Sequence, residues 1–224
     1  MTAALHQIVL LTGKDLRIEA RARQTIGLVV VLGILIVTVL GFGLGPQHAT
    51  GSAATAVLWV AYLFTGVLCF EKTMAWERQD GALTGLLLAP VDRGVIYASK
   101  LLSNLILMAG VSAVITPVAI LFFNFDLSAA PVGFLTIMAF SVLGFAAVGT
   151  LFAAVVSSSR LQGGLLAMVV FPITLPLVIS STRMMATLYE DGRAFGGSAF
   201  AVLLAFDGIF LVVSWLAFEW VLEP

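Results

Sequence analysis

Few side chains in this sequence can do chemistry, and their placement limits what that chemistry is. Only 10% of the 224 residues are charged, and there are two histidines and one cysteine. Asp207 is the single acidic or basic residue inside a long apolar run. An acid in such a run either serves as a proton site, as in transporters, or hydrogen-bonds a neighbouring helix. Asp207 is therefore a candidate intramembrane polar site, and both roles stay open.

The other reactive groups argue against a catalytic centre. His6 and His48 fall on opposite sides of the first apolar run, so they cannot share a metal ion, and no metal site is predicted. His48 could ligate a haem iron, although a solvated loop histidine is the commoner case. Cys69 stands alone, which excludes an intrachain disulfide, and is interpreted as a packing residue. The P-loop pattern G-x-x-x-x-G-K-[ST] does not occur, so the chain is predicted not to hydrolyse ATP by that route.

Composition places these residues in a membrane protein. Hydrophobic residues make up 61% of the sequence, the mean hydropathy is +1.12, and a soluble domain would carry about 25% charged residues. A spanning helix needs about 20 mainly apolar residues. The runs are too long for barrel strands, and helices also satisfy their backbone in lipid. The prediction is an all-α membrane protein with one domain of six spans, at residues 26–45, 52–70, 101–123, 131–156, 163–181 and 199–218.

Lysine and arginine are divided unevenly between the two sets of loops. Of eleven such residues, Arg183 and Arg193 lie on one side, which leaves nine in the N-terminal tail, the 71–100 loop and the 157–162 loop. Because cytoplasmic loops are the richer in these residues, both termini and the 71–100 loop are predicted to be cytoplasmic. The mixed, charged tail before the first span predicts no cleavable signal peptide. No basic stripe with interleaved aromatic residues occurs, so no nucleic-acid partner is predicted.

The tail before the first span, residues 5–24, is predicted to form an interfacial helix. At 100° per residue, Lys14, Arg17 and Arg21 share one stripe. A basic, partly apolar helix is expected to lie along the membrane surface with its cations near anionic headgroups. The alternative is a simple topology anchor. The second, less regular stripe consists of Ile8, Leu11 and Ile18, flanked by Asp15 and broken by Val9 and Leu16.

The segment ERQDGALTGLLLAP, at 77–90, is polar and then apolar between two spans. Span two is predicted to continue as a helix over 71–80, and Gly81 and Gly85 allow a change of direction. Residues 82–89 leave room for about two helical turns before Pro90, and Asp92 can cap the next helix. The leucines of this short helix either lie on the membrane surface or occupy a groove on a partner. The second alternative describes a coupling helix that transmits force from a cytoplasmic motor.

Span five contains FPITLP, in which Pro172 and Pro176 lie one turn apart and are predicted to bend the helix. The longer loop that follows, 182–198, is predicted to form a short helix that re-enters the membrane. The alternative is a bent helix followed by a surface loop. Gly144 and Gly149 of the segment GFAAVG are expected at close helix contacts, either within one bundle or between two copies.

Several separate segments together carry a family resemblance. They are Glu71, QDGAL at 79–83, LLLAP at 86–90, Lys100, KDLRIE at 14–19, GP at 45–46, Arg160 with Gly163 and Gly164, and FPITLP at 171–176. The set resembles the CcmB family, the membrane subunit of the ABC transporter of cytochrome c maturation. The resemblance covers essentially the whole chain. The Gln-Asp-Gly and Leu-Pro segments are fairly specific at this separation, whereas each alone is weak.

The resemblance implies an ABC-2-type permease with an N-terminal interfacial helix, six spans, a coupling helix between spans two and three, and a re-entrant segment after span five. It implies a bacterial inner-membrane location and an ATP-driven cycle for haem export or for release of a haem-loaded chaperone. ATP acts through a separate ATPase subunit, and haem is a cargo or is held by a partner. The other implied partners are a second copy of the chain, a haem-handling membrane protein, a small single-span protein and the haem chaperone. The implied ATPase-coupling positions are Glu71, Glu77, Arg78, Asp80, Gly81, Leu83 and Pro90.

Three other functions fit parts of the pattern. An ABC-2 permease for a lipid, polysaccharide or drug shares every physical feature. A proton-coupled secondary transporter would use Asp207 but leaves the polar loop and its leucines unexplained. A passive scaffold for cytochrome maturation would carry no substrate.

Overall fold

The long apolar runs form helices because a helix satisfies its own backbone hydrogen bonds where water is absent. The structure, a computed structural model, describes residues 2–21, 23–45, 51–79, 85, 91–123, 130–157, 164–192 and 196–221. Across these ranges the long regular elements are seven α-helices: α1 Thr2–Arg21, α2 Arg23–Leu44, α3 Gly51–Gln79, α4 Arg93–Phe123, α5 Pro131–Ser157, α6 Leu165–Asp191 and α7 Gly197–Val221.

Helices α2 to α7 are each long and apolar enough to cross a membrane. Their candidate spans are Ile26–Leu44, Ala53–Met74, Arg93–Phe123, Pro131–Ser157, Leu165–Tyr189 and Gly197–Phe218. The all-α membrane fold and the six predicted spans are thereby confirmed. The helices are longer than the predicted runs at α3, α4 and α6. Hydropathy marks where apolar side chains stop, whereas a helix can continue through polar residues.

The central helices of the bundle are α3 and α5. Helix α3 packs against α2, α4, α5 and α6, and α5 packs against α3, α4, α6 and α7. Helix α1 packs mainly along α4. The end of α7 also reaches the start of α4, where the ring centroids of Tyr97 and Phe218 are 5.2 Å apart. We call this end of the molecule, where α1 lies and the 80–92 loop leaves α3, the α1 end.

Two glycines let α3 and α5 pack closely, each beneath an aromatic ring of the other helix. A Cβ on Gly149 would overlap the ring of Phe70, and a Cβ on Gly66 would overlap the ring of Phe145. The two rings also contact each other, with centroids 5.1 Å apart. The expected close approach at Gly149 is therefore found, and it lies within the bundle.

Helix α6 differs from the prediction for the region after span five. Residues 182–191 continue α6 as far as Asp191, so they form no separate re-entrant helix before α7. Both Pro172 and Pro176 lie inside this one helix. The polar side chain that ends the apolar run is satisfied within the helix, since Thr182 Oγ1 donates to the carbonyl of Val178 at 2.8 Å. The helix ends at Gly192, whose left-handed backbone (φ 67°) suits glycine at this position.

Candidate functional site: polar contacts at the α1 end

Helix α1 turns a polar face toward the bundle. Thr12, Asp15 and Glu19 are all buried, whereas Val9 and Leu10 are 65% and 59% exposed. The three buried residues are spaced three and four apart, so they share one side of the helix. The sequence correctly indicated a helix before the first span, but the side that faces the protein is acidic rather than apolar.

A buried ion pair attaches α1 to α4. Lys100 Nζ donates to Asp15 Oδ2 at 2.8 Å, and both side chains are over nine-tenths buried. Ser103 Oγ donates to the same oxygen at 3.4 Å. Thr12 Oγ1 donates to the carbonyl of Ser99 at 3.3 Å. A buried carboxylate is costly unless paired and hydrogen-bonded, and these contacts supply both conditions.

The second acid of this face lies within the electrostatic range of α3. Burial raises the pKa of Glu19 above its ordinary value, and the positive charge of Lys72 partly opposes this by lowering it. Lys72 lies two turns before the end of α3, and Lys100 lies two turns after the start of α4. The two acids of α1 therefore interact with one lysine on each helix that flanks the loop: Glu19 with Lys72 of α3, and Asp15 with Lys100 of α4.

A second set of hydrogen bonds, centred on Asn104 of α4, joins the core helices. Thr73 Oγ1 donates to Asn104 Oδ1 at 3.1 Å, and Asn104 Nδ2 donates to Thr150 Oγ1 at 2.8 Å. These bonds join α3, α4 and α5. Sequence reasoning missed all three residues because a hydropathy average hides single polar side chains. The spacing of Lys100, Ser103 and Asn104 on one helical side was the signal that could have revealed them.

The predicted coupling residues are only partly placed by the structure. Glu71 is half-buried on α3. The backbone of Glu77 and Arg78 belongs to α3, which confirms the predicted helical extension of span two as far as Gln79. The side chains of Glu77 and Arg78 lie outside the described residues. So do Asp80, Gly81, Leu83, Pro90 and most of the predicted 82–89 helix.

The loop is nevertheless fixed at its exit. Helix α4 begins at Arg93, and the carbonyl oxygen of Asp92 accepts hydrogen bonds from the N–H groups of Val95 and Ile96 at 2.9 and 3.2 Å. The predicted start of the helix after Pro90 is thus found at Asp92. The two helices that flank the loop, α3 and α4, are packed together and share the bond between Thr73 and Asn104.

Asp207 is a separate buried polar group at the middle of its span. It is 4% exposed, and neither carboxyl oxygen has a hydrogen-bond partner among the described residues. It packs against Gly144 of α5, where a Cβ would overlap its Oδ1 and also Leu177 of α6. The hydroxyl oxygens of Ser141 and Ser181 lie 2.5 Å apart, and this hydrogen bond joins α5 to α6. Gly144 therefore provides the space that Asp207 occupies between α5, α6 and α7.

Six membrane-length helices with a further helix attached by buried charges define a polytopic helical membrane protein. The sequence matches the family described as CcmB protein over residues 6–223, and the chain belongs to this family. It is similar to a protein named heme exporter protein B from Paracoccus denitrificans, 31% identical over 170 residues, which covers 74% of this chain and 76% of that one. A protein of the same name from Bradyrhizobium diazoefficiens is 26% identical over 202 residues, covering 89% and 90%.

Proposed function

We propose that this chain is the membrane-spanning subunit of an ATP-driven transporter in cytochrome c maturation. It works with a separate ATPase subunit and a second copy of itself, and the ATPase carries out the hydrolysis. The complex also contains a haem-handling membrane protein and a small single-span protein. Its cycle drives haem export or the release of the haem-loaded chaperone. In this proposal haem is a cargo or is held by a partner. His48, the residue considered as a haem ligand, lies outside the described residues.

The observation that supports this proposal most is the set of polar contacts that joins α3 to α4 and α4 to α1. An ATPase that pushes the 80–92 loop would move the ends of both helices together, because Thr73 and Asn104 bond them to each other. The movement would also reach α1 through the pair of Asp15 with Lys100. Helices transmit such displacements as rigid elements. Family membership and the names of the relatives supply the process to which the movement belongs.

The proposal is tested by isolating the chain with its partners. The chain is extracted from its native membrane in mild detergent, the bound proteins are identified by mass spectrometry, and ATP hydrolysis of the same sample is measured. We expect an ABC ATPase together with haem-handling maturation proteins. Recovery of an ATPase without haem-handling proteins would support the ATP-driven transporter but contradict its place in the haem pathway. An intact complex without any ATPase would overturn the proposal.

The coupling loop is tested by one charge reversal and one proline substitution, with a charge reversal in another loop as the control. Asp80→Arg or Gly81→Pro is expected to abolish holo-cytochrome c while the protein remains in the membrane. The matched control is Asp126→Arg, which places the same change in the loop between α4 and α5 at the opposite end. We expect the control to mature cytochrome c normally. Wild-type maturation in Asp80→Arg and Gly81→Pro would remove the coupling role.

Asp207 supports a second candidate function, a proton-coupled transporter. The supporting observation is that both its oxygens are buried without a hydrogen-bond partner in the described part of the chain. The isosteric change Asp207→Asn separates the two functions. If ATP drives the process, the variant keeps it. If a proton gradient drives transport, the variant loses transport, and wild-type transport continues without ATP.

A further inference from the structure

Helix α1 separates its charges onto two opposite faces. Its acids Asp15 and Glu19 are buried toward the bundle. On the other side, Arg17 and Arg21 are exposed, and the side chain of Lys14 is 41% exposed. The outer face of α1 is therefore cationic, although the whole chain has a net charge of −1.

This outer face also exposes large apolar side chains among the cations. Val9, Leu10 and Ile18 are 65%, 59% and 38% exposed. They lie around Gly13, whose missing side chain leaves open space, and a shallow groove of about 520 Å³ runs past it along the three basic residues. Exposed apolar groups interleaved with cations suit the boundary between headgroups and acyl chains, where both kinds of side chain find partners.

The position of α1 along the chain places this face at the level of the membrane surface. Arg21 ends α1, and the first span begins at Ile26. Five residues separate these two positions, which is at most about 18 Å of extended chain. Lys100, which anchors the middle of α1, lies seven residues after the start of α4, about 10 Å along that helix. The attachment at both places keeps α1 close to the ends of the spans.

We propose that the outer face of α1 binds anionic phospholipids. Lys14, Arg17 and Arg21 contact the phosphate groups, and Val9, Leu10 and Ile18 contact the glycerol and upper acyl carbons. Charge complementarity selects acidic headgroups over zwitterionic ones. An acidic protein surface would match the three cations but would leave the apolar side chains between them facing polar groups. The proposal does not depend on the ATPase, so it can fail or hold independently of the proposed function.

Lipid retention tests this surface directly. The purified full chain is mixed with equimolar phosphatidylglycerol and phosphatidylethanolamine, and native mass spectrometry counts the lipids that remain bound. A lysine or arginine side chain near an anionic membrane surface contributes about 1 kcal/mol, which is roughly fivefold in binding affinity. We expect wild type to prefer phosphatidylglycerol. The triple variant Lys14→Gln, Arg17→Gln, Arg21→Gln is expected to lose that preference by roughly tenfold or more.

Two controls separate charge at this face from charge elsewhere. Lys14→Arg with Arg17→Lys and Arg21→Lys keeps the charges and is expected to keep the preference. Arg183→Gln removes one exposed cation at the opposite end of the bundle and is expected to change nothing. Arg17 and Arg21 lie opposite Asp15 and Glu19, and Lys14 loses only its partly exposed pair with Asp15 Oδ1. The buried contact of Lys100 with Asp15 Oδ2 is therefore kept. If the triple variant fails to fold, Arg17→Gln alone is expected to reduce the preference about fivefold.

Three outcomes would overturn the proposal. The first is equal retention of the two lipids by wild type. The second is an unchanged preference in a folded triple variant, or in Arg17→Gln if that variant is used instead. The third is a triple variant that keeps phosphatidylglycerol but loses a co-purifying acidic protein, which would assign the surface to that protein.

Discussion

Single residues decide how closely the central helices approach. Because Phe70 of α3 covers Gly149 of α5, we expect Gly149→Ala to destabilise the bundle by about 1–3 kcal/mol, the usual range for overpacking. Phe70 is fully buried, so its ring has little room to move. The measurement is the thermal transition of the purified chain in mild detergent.

The matched control for Gly149→Ala is Gly110→Ala. Gly110 lies inside α4, is exposed, and has nothing within 4 Å of an added Cβ. We expect this variant to be at least as stable as wild type, because alanine favours a helix more than glycine does. Equal loss of stability in both variants would mean that helix packing at Gly149 is looser than described. Phe70→Leu added to Gly149→Ala should recover part of the loss.

Glu19 gives the stability of the protein a specific pH dependence. Burial raises its pKa above the ordinary value of 4.5, so above that pH the folded chain binds more protons than the unfolded chain. Stability therefore falls as pH rises from 4.5 through the raised pKa, and it is level beyond. Glu19→Gln is expected to remove this part of the profile. The check is the difference between the wild-type and variant thermal transitions from pH 4 to pH 8.

Lys72 provides the control for the Glu19 prediction. Its positive charge lowers the pKa of Glu19 and so opposes burial. Lys72→Met is therefore expected to extend the pH range over which stability falls toward higher pH. The same substitution in a Glu19→Gln background should have no such effect. A wild-type profile parallel to that of Glu19→Gln throughout the range would contradict the buried position of Glu19.

The attachment of α1 to α4 can be measured as a property of the two elements. Asp15→Leu removes the carboxylate that Lys100 contacts and leaves a buried ammonium behind, at a cost of about 3–5 kcal/mol. The double variant Asp15→Leu, Lys100→Met replaces both charges by apolar groups and is expected to regain most of that stability. Thermal transitions of the two purified variants provide the comparison.

Lys14 is the matched control for this attachment. Its Nζ lies 3.2 Å from Asp15 Oδ1, but its side chain is partly exposed. An exposed ion pair contributes about 0–1 kcal/mol, so Lys14→Met should have a small effect beside that of Asp15→Leu. A double variant no more stable than Asp15→Leu would show that packing, rather than an isolated buried charge, causes the loss.

The elements themselves were largely predictable, and the way they face one another was not. Hydropathy located all six spans because an apolar run of this length has no other structure in lipid. Periodicity identified the stripe of Lys14, Arg17 and Arg21, but it cannot tell which stripe meets the protein. The partners of Asp15 and Glu19 lie 85 and 53 positions away in the sequence, on helices whose packing no local pattern encodes. Likewise, Thr182 marked the end of an apolar run but not the end of α6.

At the scale of the whole molecule, the charged and polar contacts are concentrated at one end. The ion pair of Asp15 with Lys100 and the bonds of Asn104 lie at the α1 end, on α1 and the helices that flank the 80–92 loop. The opposite half is joined by hydroxyl pairs, such as Tyr62 with Thr116 at 2.6 Å. The mid-span Asp207 is the exception, since it is enclosed by three helices.

The concentration of basic residues at the α1 end predicts the orientation of the whole chain. Nine of the eleven lysines and arginines belong to segments assigned to that side, counting all except Arg183 and Arg193. Such a bias predicts that the α1 end, with both termini, lies in the cytoplasm. Cys69 is buried, so single cysteines added elsewhere report accessibility with little background. A membrane-impermeant maleimide should label Ser128→Cys, in the loop between α4 and α5, in intact spheroplasts. It should label Leu5→Cys, which replaces an exposed side chain of α1, only after lysis. Labelling in the reverse order would show that the predicted orientation is wrong. The 80–92 loop would then lie outside the cell, where a cytoplasmic ATPase cannot contact it.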